Sequence, residues 1–235
     1  MAKMNVWMSV SDLMTGLMVI FLFVSIAYMH QAHKLIEERK QQFTEYVDTR
    51  QKLYEELHEE FKEQVGNNIL AINNDLSIRF AEAETLFEEG RYNVSDHFES
   101  TLEDIIPLYM NLLLHDSLRN YIKEVRIEGH TDTLPFRRLG SDPYLSNLEL
   151  SQKRAYEVVK CIRKICANSN FDQLEREQIE DWLTAVGYSY TNALDGDGNF
   201  ASESGKPIDN DLSKRVEIRI ITDDYRVIKT IVKDK

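Results

Sequence analysis

Cysteine is nearly absent: the 235 residues hold two, Cys161 and Cys166. That excludes a disulfide-rich scaffold and a zinc site built from several thiolates. The two stand five apart on one expected helix and face different ways, so they do not suit an intrahelical bridge. Each reads as a small core residue, with an intersubunit bridge left open. Excess positive charge is absent too. Lys+Arg number 28 against 40 for Asp+Glu, a formal net charge of -12. Neutralising phosphates needs a basic surface, so the chain is a poor candidate for a general nucleic-acid binder. There is no nucleophile–base motif, no P-loop and no GxGxxG run, and the six histidines lack metal-ligand spacing. No cofactor is expected, and an enzyme reading has no support. Finally, charge is missing from the start of the chain: residues 1–29 carry only Lys3 and Asp12.

What is present is segmented. The whole is 43% hydrophobic and 29% charged, a globular composition. Val6 to Tyr28, however, is 23 almost wholly apolar residues, enough to span a bilayer as a helix. Trp7 and Tyr28 stand at its ends, where amphipathic aromatics favour the interface. A cleaved signal peptide competes, with Lys3 as a minimal basic region and small residues at Ser25-Ile26-Ala27. The length of the stretch and the carboxylate inside it favour an uncleaved anchor. Asp12 is costly in such a helix, about 2.5–3.5 kcal/mol at its centre. Carboxylates there face a protein interior or a water-filled path, so ion transfer and structural pairing both remain open. Lys3 lies on one side of the stretch. Lys34, Arg39 and Lys40 lie on the other, mixed with Glu37 and Glu38, and orientation is not fixed by charge alone.

No proline or glycine occurs between Gly16 and Gly66, so the helix is expected to continue past the membrane. Residues 30–64 would reach about 50 Å if fully helical. Ile36, Phe43, Arg50 and Leu57 are spaced by sevens. That spacing reads either as a short, imperfect coiled-coil seam of a parallel dimer or as a solvated single helix.

From Asn67 the pattern turns to mixed α/β. Alternation predicts strands at Leu76-Ile78-Phe80, at Val125-Ile127, at Leu183-Ala185 and at Val216-Ile218-Ile220. Helical stripes run through Phe98, Leu102, Ile105, Ile106, Tyr109 and Leu113, with Pro107 as an expected kink, and through Ala155, Val158, Val159, Ile162 and Ile165. Phe171, Leu174, Ile179 and Trp182 suggest a third, shorter helix. Helices alternating with strands imply a two-layer α/β sandwich. Asp195-Gly196-Asp197-Gly198-Asn199 fails the calcium-loop pattern, with Phe200 in the glycine position and Lys206 in place of the closing glutamate. It reads as a surface turn.

Three blocks carry a resemblance. Val125-Arg126-Ile127-Glu128-Gly129-His130-Thr131-Asp132 resembles the strand-to-loop signature of OmpA-like peptidoglycan-binding domains. Asn147-Leu148-Glu149-Leu150-Ser151-Gln152-Lys153-Arg154-Ala155 resembles that family's helix start, and Ser213-Lys214-Arg215-Val216-Glu217 its last strand. The match covers roughly residues 75–222. The resemblance implies an α+β fold with a mixed sheet. It also implies a site for the diamino acid of wall stem peptides, Asp132 taking the ammonium and Arg154 the carboxylate. Thr131, Asn147 and Leu150 would line the same pocket. An ordinary Asp–Arg salt bridge is the plain alternative. The sequence departs from the family in a longer segment between Asp132 and Asn147, with Pro135, Arg137, Arg138 and Pro143, expected to gate or reshape the pocket. It also has Ser213-Lys214 where Asn-Arg is usual.

One acidic membrane helix, a linker and such a domain are together similar to MotB-type stator subunits of ion-driven rotary motors. Ser11-Asp12-Leu13-Met14-Thr15-Gly16-Leu17-Met18, the run Val19 to Phe23, and Leu76–Phe80 leading to Leu86-Phe87-Glu88-Glu89-Gly90 are similar to the ZorB family of Zorya anti-phage systems. This implies that Asp12 carries the ion, that a homodimer sits inside a ZorA-like ring of polytopic subunits, and that the C-terminal domain lies in the periplasm with the N-terminus cytoplasmic. The expected organisation is a tail over 1–5, a membrane helix over 6–29, a helical linker over 30–65 and an OmpA-like domain over 66–235. A flagellar stator subunit and a passive wall tether are the rival readings.

Overall fold

The computed structural model describes residues 6–80, 86–87, 91–116, 118–134, 136 and 142–222. Glu88, Glu89 and Gly90 and the loop residues Pro135, Arg137 and Arg138 lie outside the described residues. The chain divides into two compact units at Asp48 and Thr49, the second running Thr49–Asp223.

Helix α1 runs Val6–Glu60 without interruption, as the absence of helix breakers beyond Gly16 predicts. In the first unit its stretch Val10–Gln41 is long and apolar enough to cross a membrane. The large side chains there are exposed rather than packed; Phe21 is 71% exposed. Only a nonaqueous surrounding or a partner relieves that much bare apolar surface. Thr15 returns its hydroxyl to the carbonyl of Ser11, one turn back, and Asp12 is exposed.

The last turns of α1 belong to the second unit. Leu53, Leu57 and Phe61 are buried in its core, Leu57 at 0% exposure, and Phe61 meets Tyr109 at 6.5 Å. Burial of each such side chain is worth about 1.5–3 kcal/mol. The sevenfold spacing therefore does not run as one seam: Ile36 and Phe43 are exposed, whereas Leu57 is consumed by the domain. The stretch read as a linker thus contributes core residues.

After the short α2 (Lys62–Gly66) come β1 (Leu70–Ile72), β2 (Ser77–Phe80), α3 (Asp96–Leu114), β3 (Ile122–His130), α4 (Pro143–Asn168), α5 (Gln173–Trp182) and β4 (Leu183–Gly187). The chain then forms β5 (Leu194–Asp195), α6 (Ala201–Ser204), β6 (Ile208–Asp209), α7 (Asn210–Ser213) and β7 (Arg215–Thr222). The main sheet has the order β1-β2-β7-β3-β4, and β5 pairs with β6 apart from it. Only the β3–β4 pair is parallel in the main sheet, so the fold is α+β with a mixed sheet. A parallel pair needs a long crossover, which α4 and α5 supply. The pleat sends Ile78, Val125, Ile127, Val216, Ile218 and Ile220 into the core. Helices α4 and α5 pack against β3, and α3 packs on α4, making the two layers.

Local chemistry fixes the helix ends. Ser95 caps α3 by accepting from the Phe98 N–H at 3.1 Å. Helix α3 continues through Pro107. Asp142 caps α4, with Pro143 in its first turn. Asp172 and Glu175 close a reciprocal capping box on α5. Leu174, expected in the α5 stripe, is 73% exposed, and Ile179 and Trp182 hold that helix instead. Cys161 and Cys166 are free and buried, and burial pushes both thiols up to about 11.

At the outer edge of β4 the Gln152 amide lies along the strand. It donates to the Ala185 carbonyl at 3.1 Å and accepts from the Gly187 N–H at 2.8 Å.

Candidate functional site

Strand β3 ends at His130 and delivers Thr131 and Asp132 beside the first half of α4. Two glycines make that approach possible. A Cβ on Gly129 would lie 2.2 Å from the Ser151 carbonyl oxygen, and one on Gly187 would lie 2.5 Å from the Gln152 nitrogen. Both contacts are far inside van der Waals distance, and the obstructing atoms are helix backbone. Glycine in β3 and β4 therefore lets α4 rest on the strand ends.

Hydrogen bonds then fix the loop on the helix. Asn147 is buried; its amide donates to the carbonyls of Asp132 at 3.3 Å and Leu134 at 3.0 Å, and accepts from the Phe136 N–H at 3.1 Å. Ser189, at φ 53, is wholly buried. Its carbonyl accepts from the Thr131 N–H at 2.9 Å, its N–H donates to the Ser151 hydroxyl at 3.0 Å, and its hydroxyl donates to the Tyr144 carbonyl at 3.1 Å. Those three bonds hold a non-glycine residue in a left-handed conformation.

Thr131, Asp132, Asn147, Leu150 and Arg154 thus gather at one end of β3 and α4. The last three recur at i, i+3 and i+7, one face of the helix. Leu150 is buried, and the Thr131 hydroxyl is buried without a hydrogen-bond partner. Asp132 accepts from the Leu134 N–H at 3.1 Å. Among the described residues no direct ion pair joins Asp132 to Arg154, so the plain salt-bridge alternative does not describe the geometry. Burial pushes the Arg154 guanidinium down to about 10, against the nearby Asp132 carboxylate, and Arg154 stays charged at neutral pH. Its Nε donates to the Arg91 carbonyl at 3.1 Å, and its Cζ stands 4.9 Å from the centroid of the Phe87 ring. A half-buried cation beside a carboxylate, neither neutralising the other by contact, suits a zwitterionic ligand. Asp12, the remaining expected site residue, belongs to the first unit. A cavity of about 380 Å³ between Gln64–Ile69, Phe80 and α3 is lined by none of the expected site residues.

A second constellation escaped the sequence reading. On the sheet face opposite the core, β3 carries Arg126, Glu128 and His130, and β7 carries Arg215, Glu217 and Arg219. Glu128, His130, Arg215 and Glu217 are all buried. Glu217 accepts from Arg215 at 2.7 Å, Arg79 at 3.1 Å and Arg219 at 3.0 Å, while Arg219 also reaches Glu128 at 3.0 Å and Asp75. Burial alone would raise the Glu217 carboxyl; Arg215 and Arg79 overcome it and hold it at about 2. Burial, aided by Arg215, pushes the His130 imidazole below its usual range against the pull of Glu128. Residues 188–213 supply the cover. Tyr188 stacks on His130 at 5.2 Å, Ser213 accepts from Arg215, and Gly198 borders Arg79. Glu128, His130 and Glu217 bring ligand-type atoms within 4.8 Å of one another. A divalent cation there would face Arg79, Arg215 and Arg219, so this set is an ion network and not a metal centre. The signal was the alternation of charge at 126, 128 and 130, which gives the shared face but not its burial.

The segment 195–199 is the surface turn expected, with Gly196, Asp197 and Asn199 exposed, but Asp195 itself points inward. It is fully buried, and its carboxylate accepts from the N–H groups of Asp197 at 3.0 Å and Asn199 at 2.9 Å. It organises the turn from inside.

An apolar helix long enough to span a membrane, continuous with the first core residues of an α+β domain, defines the class of chain. No family model matches it. It is 31% identical over 230 residues to the Zorya protein ZorB of Escherichia coli strain Crooks, covering 97% of this chain and 92% of that protein. To the Zorya protein ZorB of Escherichia coli O139:H28 it is 28% identical over 222 residues, 93% of this chain and 81% of that protein. The chain belongs to the ZorB family. Among solved structures it is similar to a MotB-like protein from Desulfovibrio vulgaris, with a TM-score of 0.49 and 16% identity over 77% of this chain and 94% of that one. It is also similar to the periplasmic domain of Helicobacter pylori MotB, with a TM-score of 0.44 and 20% identity over 67% of this chain and 84% of that one.

Proposed function

We propose that this chain is the wall-anchored subunit of an inner-membrane, ion-driven motor in anti-phage defence. In this reading Asp12 carries the ion, and Thr131, Asp132, Asn147, Leu150 and Arg154 bind the diamino acid of peptidoglycan. Two copies stand inside a ring of ZorA-like subunits. The N-terminal side of α1 faces the cytoplasm and the domain faces the wall. The domain holds the pair fixed while ions passing Asp12 turn the ring around it.

The observation that carries the reading is the place of Asp12. It is the only Asp, Glu, Lys or Arg between Val6 and His33, in a helix whose apolar side chains are bare. A passive tether has no use for a carboxylate there, given its insertion cost. An ion-carrying subunit requires one. The energy is adequate for repeated steps, since one charge crossing 100 mV releases about 2.3 kcal/mol. Membership of the ZorB family supports defence as the output.

The test is phage plating on cells carrying the gene with its native neighbours, wild type against Asp12→Asn, with protein levels matched by blot. Protection by wild type and none by Asp12→Asn is the expected result. Equal protection by both would sink the ion-carrying role and leave the tether. Failure of both would remove the defence assignment and make motility the next assay.

A further inference from the structure

We propose that Phe87, together with the Arg91 carbonyl, pre-sets the Arg154 guanidinium as a fork for the ligand's carboxylate, which makes Phe87 a positioning residue. The proposal rests on the wall-binding reading of Arg154 given above. A guanidinium has five N–H donors in one plane, one on Nε and four on the terminal nitrogens. In Arg154 the Nε donor is committed to Arg91 at 3.1 Å. Phe87 covers the guanidinium from 4.9 Å. The four terminal donors carry no hydrogen bond among the described residues. That end is the one able to grip a carboxylate with two parallel bonds.

Phe87 is itself held firmly enough to act as a rest. It is 5% exposed, meets the Phe98 ring edge-on at 6.1 Å, and is tied to Val94 by an isolated β-bridge. Phe98 lies in the first turn of α3 and is wholly buried. The chain of contact thus runs from core to Phe98, to Phe87, to Arg154. An arginine left loose would have to lose its rotamer freedom when the ligand arrives. Here that ordering is done by the fold. The same packing leaves Lys153, the neighbour of Arg154, to its own ring, Tyr92, at 5.3 Å.

The experiment measures co-sedimentation of the full chain in detergent with purified peptidoglycan sacculi, whose many sites keep weak binding measurable. The variants are Phe87→Leu, Phe87→Tyr, Arg154→Ala and the double Phe87→Leu with Arg154→Ala. Phe87→Leu is expected to weaken binding about fivefold to tenfold, the scale of a desolvated cation–π contact, with the melting transition retained. Phe87→Tyr, which keeps the ring, is expected to stay within about twofold of wild type. The double variant is expected to bind no more weakly than Arg154→Ala alone, because Phe87 acts only through that guanidinium. Wild-type binding by Phe87→Leu would overturn the positioning role while leaving the wall site in place. So would an equal loss in both Arg154 backgrounds, since Phe87 would then act through general packing. Full binding by Arg154→Ala would overturn the wall-site reading itself and this proposal with it.

Discussion

Two carboxylates of this chain, Glu217 and Asp12, are treated in opposite ways. Glu217 is buried among three guanidiniums, each within hydrogen-bond reach, and every partner comes from β2 or β7. Asp12 stands in an apolar helix with no ion pair among the described residues. A carboxylate saturated by arginine is locked in one protonation state and serves the fold. One without a fixed counter-charge is left to exchange what it binds. The contrast separates a group that holds structure from one that, in the function proposed above, carries the ion.

The comparison breaks most sharply in a pair of variants. Asp12→Asn is expected to abolish phage protection, with the melting temperature of the purified chain unchanged; a large loss of stability would place Asp12 with the structural carboxylates. Glu217→Gln is expected to do the reverse. It leaves buried arginines short of a charge, which costs about 3–5 kcal/mol, read as a fall in the denaturant midpoint. Leu57→Ala tests whether the end of α1 is core, with an expected loss of about 2–5 kcal/mol in the same assay. A loss within the range of surface substitutions, about 0.5 kcal/mol, would return Leu57 to a solvent-facing linker.

Acid gives a graded effect. Glu217 has its folded pKa near 2, below its ordinary 4.5. Its stabilisation is therefore present above the ordinary value and is lost as the pH falls through the folded one. His130 is pushed below 6.5, so the unfolded chain takes up that proton first, and stability falls as the pH drops below 6.5. Both groups act in the same direction, and melting temperatures recorded from pH 7 to pH 3 should decline throughout. A maximum near pH 5 would mean that His130 gains a partner on protonation. The smallest effect is at a helix end. Asp172→Ala removes half of the α5 capping box and is expected to cost about 1 kcal/mol, with sheet and site undisturbed.

How far the sequence revealed these features depends on how local each is. Strand alternation at 125–127 and 216–220 announced the strands and their apolar face, because a two-residue period needs only neighbours, but not which strand pairs with which. The loop at 131–132 and the α4 face were legible as motifs, since Asn147, Leu150 and Arg154 keep helical spacing. What failed needed distant chain. Leu53, Leu57 and Phe61 have the periodicity of any helix stripe, and nothing local says whether a second helix or the domain core covers it. The charges at 128, 130, 215 and 217 resemble a solvated sheet face until residues 188–213 fold over them. The glycine-rich stretch was legible as a surface turn, but the burial of the Asp195 side chain was not. Its carboxylate satisfies the turn's own N–H groups. Phe87 was legible only as part of a family-like run, and its contact with Arg154 was not, since that partner lies 67 positions further along the sequence.

The Gln152 amide on the edge of β4 bears on crowding. A sheet rim with bare N–H and C=O groups is a template on which another chain can add a strand. Copies of the domain brought to high local concentration would meet the condition under which such templating is fastest. One amide, donating to Ala185 and accepting from Gly187, occupies two of the bonds a strand added beside β4 would need. At this edge a neighbouring copy would find those bonds taken, and contact there would fall to side chains, which can be made and released without remodelling a sheet.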